Sequence, residues 1–331
     1  MLTFWGVLLM ILLVKFFGQK LDSKTSWYIA IILSYVYILL LIKIVSPYQL
    51  YLAFFINGLI TFFFYAFYNS AYFEATSQKN IGKSSALMFS IGPLISLVAP
   101  LFAGSLAQIN YLYIWILSFF FFLIPLYFVR SQESFTIKYS VREIIEEIRS
   151  TRLFIFIGAF WEAMAFGMIP IYTLFFIKTP LGYGAFLSYL GMIGILANLS
   201  LGVFTDKMQK RVFFLYPVTL AMSAVTFLFS LATVNIYYWI IASGVIQFFY
   251  PIYNNVSLAM VVDTKPDLKK AIVGRELVLS LGRIVGLSLA FLSFTFERQP
   301  FYIFIVLGTV MLFFPLALFW RTKVVKKYSY L

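Results

Sequence analysis

Two charged residues stand where charge is expensive. Glu162 lies about ten residues beyond Arg152, or roughly 15 Å along a helix at 1.5 Å per residue. Arg283 lies about thirteen residues beyond Lys270, or roughly 20 Å. Both fall deep inside long apolar stretches. A charge at that depth in a bilayer costs several kcal/mol unless it is paired, protonated or wetted, which makes both residues candidate functional groups. Their opposite signs make them natural partners: a carboxylate able to take up a proton or hold a cationic group, and an arginine to balance it. The alternative is a static ion pair. The chain has no cysteine and no histidine. Disulfides, thiolate metal sites, histidine relays and Ser–His nucleophiles are therefore excluded, and neither a metal site nor a cofactor is expected. Any proton step must use one of 12 carboxylates. Asp22, Glu74, Asp206, Asp263 and Asp267 sit at inner membrane boundaries, Glu133, Glu143, Glu146 and Glu147 in the linker and Glu297 at the outer rim, while Glu276 lies in the first turns of its helix. Glu74, Asp263, Arg275 and Glu276 form a set of inner-end charges. Along the apolar stretches the amides Asn57, Asn69, Gln247, Asn254 and Asn255 could bond a solute at lower desolvation cost than charges, or bond helix to helix. Trp161, beside Glu162, offers a ring for stacking.

The elements that must position these residues are membrane-spanning helices. The chain is 63% hydrophobic, 21% aromatic and only 11% charged over 331 residues. A soluble domain of that size cannot hide so much apolar surface, so the solvent is lipid. A hydrocarbon core of about 30 Å needs about 20 apolar residues. That rule places spans near 2–17, 27–45, 49–72, 84–107 and 111–129, then near 153–177, 183–204, 212–233, 236–262, 271–296 and 301–320. The expected fold class is thus an all-α integral membrane protein of eleven transmembrane helices in two pseudo-symmetric halves, five plus six. The halves are residues 1–129 and 153–331, joined by a linker over 130–152. With the carboxyl terminus inside, 21 of the 25 basic residues fall in inner segments, Lys43, Lys178 and Arg298 fall outside, and Arg283 is within a span. This bias fixes a cytoplasmic carboxyl terminus and an outer amino terminus, and the plasma membrane is the expected location. It also accounts for the net charge of +13 without nucleic acid, which would need one gathered basic face. In the linker, Val141, Ile144, Ile145 and Ile148 follow helical spacing opposite Arg142, Glu143, Glu146, Glu147 and Arg149, which predicts an amphipathic helix on the inner membrane surface. The run Thr3–Val14 has no basic residue before it and no small-residue cleavage site, so it reads as a retained helix.

A repeat ties the halves together. Gly18-Gln19-Lys20-Leu21-Asp22 and Gly202-Val203-Phe204-Thr205-Asp206 share G-x-x-x-D where apolar runs end, and Lys207, Lys210 and Arg211 follow the second copy. Tyr68-Asn69, Glu74 and Gly82-Lys83 are echoed by Tyr253-Asn254, Asp263 and Gly274-Arg275, each set leading into a helix with paired glycines, Gly92 and Gly104 or Gly282 and Gly286. Internal repeats of this kind are a mark of secondary transporters. The pattern resembles the major facilitator superfamily, whose loops after the second and eighth helices carry G-x-x-x-D-[RK]-x-G-[RK]-[RK]. Residues 202–211 match it except at Gln209, while the copy starting at Gly18 keeps only the glycine and aspartate. The resemblance implies that Gly18, Asp22, Gly202, Asp206, Lys207, Lys210 and Arg211 belong to gating loops that latch the halves in one state. Asp22 and Asp206 also read as helix N-caps. Set against the family's usual twelve helices, the element not represented is the first.

The functional expectation is a secondary active transporter working by alternating access, proton-coupled, for a small hydrophobic or amphipathic solute. Its partners are that solute, protons or another coupling ion, and the lipid bilayer; the protein is expected to be a monomer and not an enzyme. Ala99-Pro100-Leu101-Phe102-Ala103-Gly104 loosely resembles the G-P-x-x-G-G pattern of drug–proton antiporters and favours export. The alternatives are a sugar or organic-acid uptake permease, and a non-transporting sensor or scaffold. No G-x-x-x-x-G-K-[ST] occurs, which removes ATP-driven pumping by a P-loop.

Overall fold

The computed structural model describes residues 1–17, 21–74, 81–205, 211–262, 267–296 and 301–324. Its helices, in chain order, are α1 (Leu2–Phe17), α2 (Ser23–Ile42), α3 (Pro47–Thr61), α4 (Phe67–Glu74), α5 (Ile81–Ile109), α6 (Tyr111–Phe121), α7 (Leu123–Ser131) and α8 (Val141–Glu147). They continue as α9 (Arg152–Trp161), α10 (Ile169–Phe176), α11 (Pro180–Thr205), α12 (Leu215–Ala232), α13 (Ile236–Val262), α14 (Leu268–Phe296) and α15 (Tyr302–Phe319). The only extended pairing among the described residues is a single antiparallel bridge between Asp22 and Thr136. The all-α membrane fold is therefore observed. Ten described stretches have the length and hydropathy to cross a bilayer. The remaining apolar helix, α1, has 16 residues, or about 24 Å, shorter than a hydrocarbon core of about 30 Å. Among the described residues, then, ten helical stretches are of spanning length and α1 is a shorter apolar helix.

Sequence-local signals set the helix ends. Asp22 caps α2 by accepting from the Thr25 N–H, Ser46 caps α3 ahead of Pro47, and Asn110 caps α6. Two spans are interrupted halfway by single π-helical turns, Phe62–Ala66 between α3 and α4 and Met164–Met168 between α9 and α10. Pro170 follows the second turn. Its ring excludes the carbonyl a turn below and its missing N–H leaves that carbonyl unpaired, so a wider turn there is the cheaper geometry.

Close helix crossings are made by glycine. A Cβ on Gly282 would stand 2.6 Å from the Ala159 Cβ, and one on Gly286 would collide with the Phe160 carbonyl. These two positions let α14 lie directly against α9, so residues on the two helices can meet at mid-membrane. A Cβ on Gly191 would come within 2.5 Å of the Ser96 carbonyl carbon, bringing α11 equally close to α5. One apolar core runs from Phe154 of α9 to Leu318 of α15. A second joins Val7 and Ile11 of α1, Trp27 of α2 and Phe62 and Phe63 of the first π turn to Val273, Leu277 and Ile284 of α14.

The linker helix α8 is amphipathic, with Arg142, Glu143 and Glu146 exposed, and its apolar face is packed into protein. Ile144 and Ile148 are fully buried, and a Cβ on Gly274 of α14 would strike the Ile144 carbonyl. On the other flank the Ser23 N–H donates to the Phe135 carbonyl at 2.8 Å, Ser134 Oγ donates to Asp22 Oδ2 at 2.7 Å, and Tyr139 donates to the Ile11 carbonyl at 3.3 Å. The spacing of apolar residues that suits a lipid surface also suits a protein groove. Here the groove between α1, α2 and α14 wins.

Glu143 closes this joint. It forms a capping box with Ser140 and an ion pair with Lys270 of α14 at 2.8 Å. The Lys270 ammonium, then the Ser140 hydroxyl, hold its carboxyl below the usual carboxylate range. A lowered folded value means that the pair's contribution is present above the ordinary carboxylate range and is lost as pH falls through the lowered value. Glu143→Gln is therefore expected to speed amide exchange over 141–147 at neutral pH and to have no effect in strong acid. A ratio of mutant to wild-type exchange that stays constant across that range would contradict the docking role.

Candidate solute cavity and the buried charge pair behind it

A cavity of about 1100 Å³ runs between the amino-terminal turn of α1, the α3–α4 span, the second π turn, α13 and α14. Its wall is mostly apolar and aromatic, with Phe4, Tyr51, Phe54, Tyr65, Phe166, Phe291 and Phe294 among its lining residues. Asn57, Thr61, Tyr65 and Asn69 supply the polar groups of one side, and Asn254, Arg275, Glu276 and Arg283 those of the other. On the first side the residues recur every four positions. In a regular α-helix such a stripe drifts by about 40° per step, because a turn takes 3.6 residues. The wider π turn at Phe62–Ala66 takes up part of that drift and keeps Tyr65 and Asn69 on the same wall as Asn57. The second π turn likewise presents Phe166 and Gly167 to the cavity.

Arg283 and Glu162 meet across the α9–α14 crossing. Arg283 Nε donates to Glu162 Oε2. The second carboxylate oxygen, Oε1, accepts from the Tyr250 hydroxyl of α13 at 2.8 Å. Glu162 is 1% exposed, and it does not line the large cavity. Arg283 does, with its guanidinium carbon 5.1 Å from the Phe4 ring centroid and 5.2 Å from that of Phe166. The arginine thus packs against a pair of neighbouring aromatic rings, facing the cavity and bonded to the carboxylate. Cation–π contacts at a desolvated site are worth about 2 kcal/mol. A buried pair whose members are both hydrogen-bonded avoids the full penalty of an isolated charge. Near one end of the cavity Arg275 pairs with its neighbour Glu276 at 3.1 Å, both side chains being mostly covered. The Asn69 Oδ1 is buried and has no hydrogen-bond partner among the described residues.

Residues 1–263 match the model of the Major Facilitator Superfamily. The chain belongs to the major facilitator superfamily. No curated protein matches it. A major facilitator protein moves small solutes across a membrane, and helices long and apolar enough to cross one, with a cavity between them, accord with such a transporter.

Within this major facilitator chain the singled-out residues separate into three groups. Asn57, Asn69, Asn254, Arg275, Glu276 and Arg283 share the cavity wall, with Glu162 directly behind. Trp161, Asn255 and Gln247 lie elsewhere. Trp161 is fully buried and donates to Thr226 of α12 at 2.9 Å, pointing into the helix core and away from the cavity. Asn255 donates to Asn198 of α11 at 3.0 Å, a helix-to-helix bond. Gln247 stands beside Gly194 of α11, where a Cβ would be 3.1 Å from its amide nitrogen. Among the loop residues, Asp22 is placed at the α2 N-cap and against Ser134 of the linker. The Thr25 contact leads in holding its carboxyl below the usual range. Gly202 falls in the last turns of α11, Arg211 starts a short 3-10 turn, and Glu74 ends α4. Gly18, Asp206, Lys207, Lys210 and Asp263 lie outside the described residues.

Sequence reasoning missed Tyr250, Phe4, Phe166, Thr61 and Tyr65. The four-residue spacing of Asn57, Thr61, Tyr65 and Asn69 was a usable signal, and so was Tyr250 standing one turn before Asn254. The rings around Arg283 carried none, since aromatic residues occur along every span. Tyr250→Phe removes one charge-assisted hydrogen bond without changing volume, so a loss of about 1.5–3 kcal/mol in stability is expected. Tyr183→Phe, which gives up only a 3.5 Å contact to the Pro170 carbonyl, is expected to be near neutral. Equal melting shifts for the two variants would show that Tyr250 does not support the carboxylate.

Proposed function

We propose that the protein is a proton-coupled secondary transporter that works by alternating access. Residues 1–129 and 153–331 act as the two moving halves, joined by the linker 130–152, in a monomer in the plasma membrane with the carboxyl terminus inside. The solute is small and amphipathic, and Glu162 is the residue that takes up and releases the proton. The observation that carries this reading is the position of the Glu162–Arg283 pair: midway along two apolar spans, with Glu162 buried and bonded to an arginine that lines the cavity. A static pair gains nothing from lining a cavity, whereas a pair meant to open needs a route for water and solute. The aromatic wall and the scarcity of other charges fit a solute that is mostly apolar. Asn57, Asn69 and Asn254 would orient its polar end, and the G-x-x-x-D loops would hold the inner ends of the helices between cycles.

The test is solute-driven proton movement in proteoliposomes holding a pH-sensitive dye, with naphthalene derivatives of different charge as solutes. Wild-type protein is expected to change internal pH when a carried solute is added. Glu162→Gln is expected to retain solute exchange across equal concentrations while the proton signal disappears. If Glu162→Gln leaves both flux and its proton dependence unchanged, the coupling role is wrong.

A further inference from the structure

The cavity carries one charge that protonation would set free, and its sign is positive. Arg275 and Glu276 neutralise each other at 3.1 Å. Arg283 makes its ion pair with Glu162, and Glu276 adds a weaker, longer-range attraction. No other ion pair or hydrogen bond involves this guanidinium among the described residues, and the rings of Phe4 and Phe166 lie side by side against it. The other titratable and charged groups that line the cavity or bear on the pair are Tyr250 and Tyr253 of α13, Arg275 and Glu276 of α14, and Tyr51 and Tyr65 of the α3–α4 span; Lys269 and Lys270 stand at the far end of α14. The amino group of Met1 lies at the cavity wall as well. No second free carboxylate stands among them.

We infer that the solute is an amphipathic organic monoanion whose acidic group binds the Arg283 guanidinium in place of Glu162, each anion moving together with one proton. This deepens, and rests on, the proposed proton-coupled transport. The step balances. One proton from cavity water joins a Glu162 carboxylate oxygen, the ion pair with Arg283 Nε is released, and the acid oxygens of the solute take the vacated Nε–H and the unpaired Nη donors of the same guanidinium. The site then holds the same net charge as before. Leaving Arg283 unpaired in the membrane is costly, so protonation without an anion is disfavoured, and an anion without protonation meets a guanidinium whose charge Glu162 already balances. Each ligand therefore raises the affinity for the other, by a coupling typically five- to 150-fold. Phe4 and Phe166 keep the guanidinium in place during the exchange and offer their rings to the solute's apolar body. A cationic solute would face the freed arginine and be repelled. Net movement would follow the proton gradient, against the export direction that Ala99–Gly104 favours.

The test is binding to the full chain in detergent of three probes with one ring system: naphthalene-2-sulfonate, neutral 2-naphthamide and cationic 2-naphthyltrimethylammonium. Between about pH 8 and about pH 5 the sulfonate is expected to bind wild-type protein at least about tenfold more tightly in acid. Glu162→Gln is expected to bind it tightly at both pH values. Arg283→Gln and the Glu162→Gln/Arg283→Gln double variant are expected to lose it; the double variant removes both charges at once and leaves no orphaned carboxylate. Preference for the neutral or cationic probe, with proton-coupled flux of that probe intact, would overturn the anion inference and leave the transport reading standing. No binding and no flux of any probe by folded wild-type protein would overturn both.

Discussion

The rest of the structure depends on one buried ion pair. Glu162 and Arg283 sit at a depth where an unpaired charge costs several kcal/mol, and they meet at a close helix crossing. Gly282 and Gly286, whose missing side chains bring α14 onto α9, make that crossing. The cost of an unpaired charge also accounts for the hydroxyl of Tyr250 on the second carboxylate oxygen. The two rings on Arg283 serve the same end, supplying electron-rich faces in place of water.

From the pair outward, the architecture divides its labour by polarity. The wall of the α3–α4 span supplies neutral polar groups in a four-residue stripe, kept aligned by a π turn, while α14 supplies the charges. The same α14 carries Gly274 and Lys270, against which the linker helix is docked. A displacement of the linker is therefore mechanically connected to the helix that holds Arg275, Glu276 and Arg283. This gives residues 130–152 a physical means of influencing the cavity, beyond tethering.

Much of this was legible in the sequence, for reasons that differ by element. Glu162 and Arg283 stood out because charge in an apolar stretch is rare, and their depth followed from counting along a helix. The spans followed from hydropathy, and Asp22 as an N-cap from its place after an apolar run. What was not legible came from features common throughout the chain. One amide among several gives no sign of whether it faces a cavity, as Asn254 does, or a neighbouring helix, as Asn255 does. Trp161 was read as a stacking ring because it adjoins Glu162, yet successive helical residues point about 100° apart, and it turns into the core. The apolar face of α8 fitted lipid and protein equally well; only the groove beside Gly274 decided between them.

The central claim is that Glu162 changes protonation state within the folded protein while Arg283 remains charged at the cavity wall. Infrared difference spectroscopy on the reconstituted protein reads this directly. On acidification in the presence of naphthalene-2-sulfonate, a protonated-carboxyl C=O band is expected to appear, and to be missing from Glu162→Gln. A Glu162 that stays ionised until the protein unfolds, with no such band, would show that the pair is structural and would contradict the account.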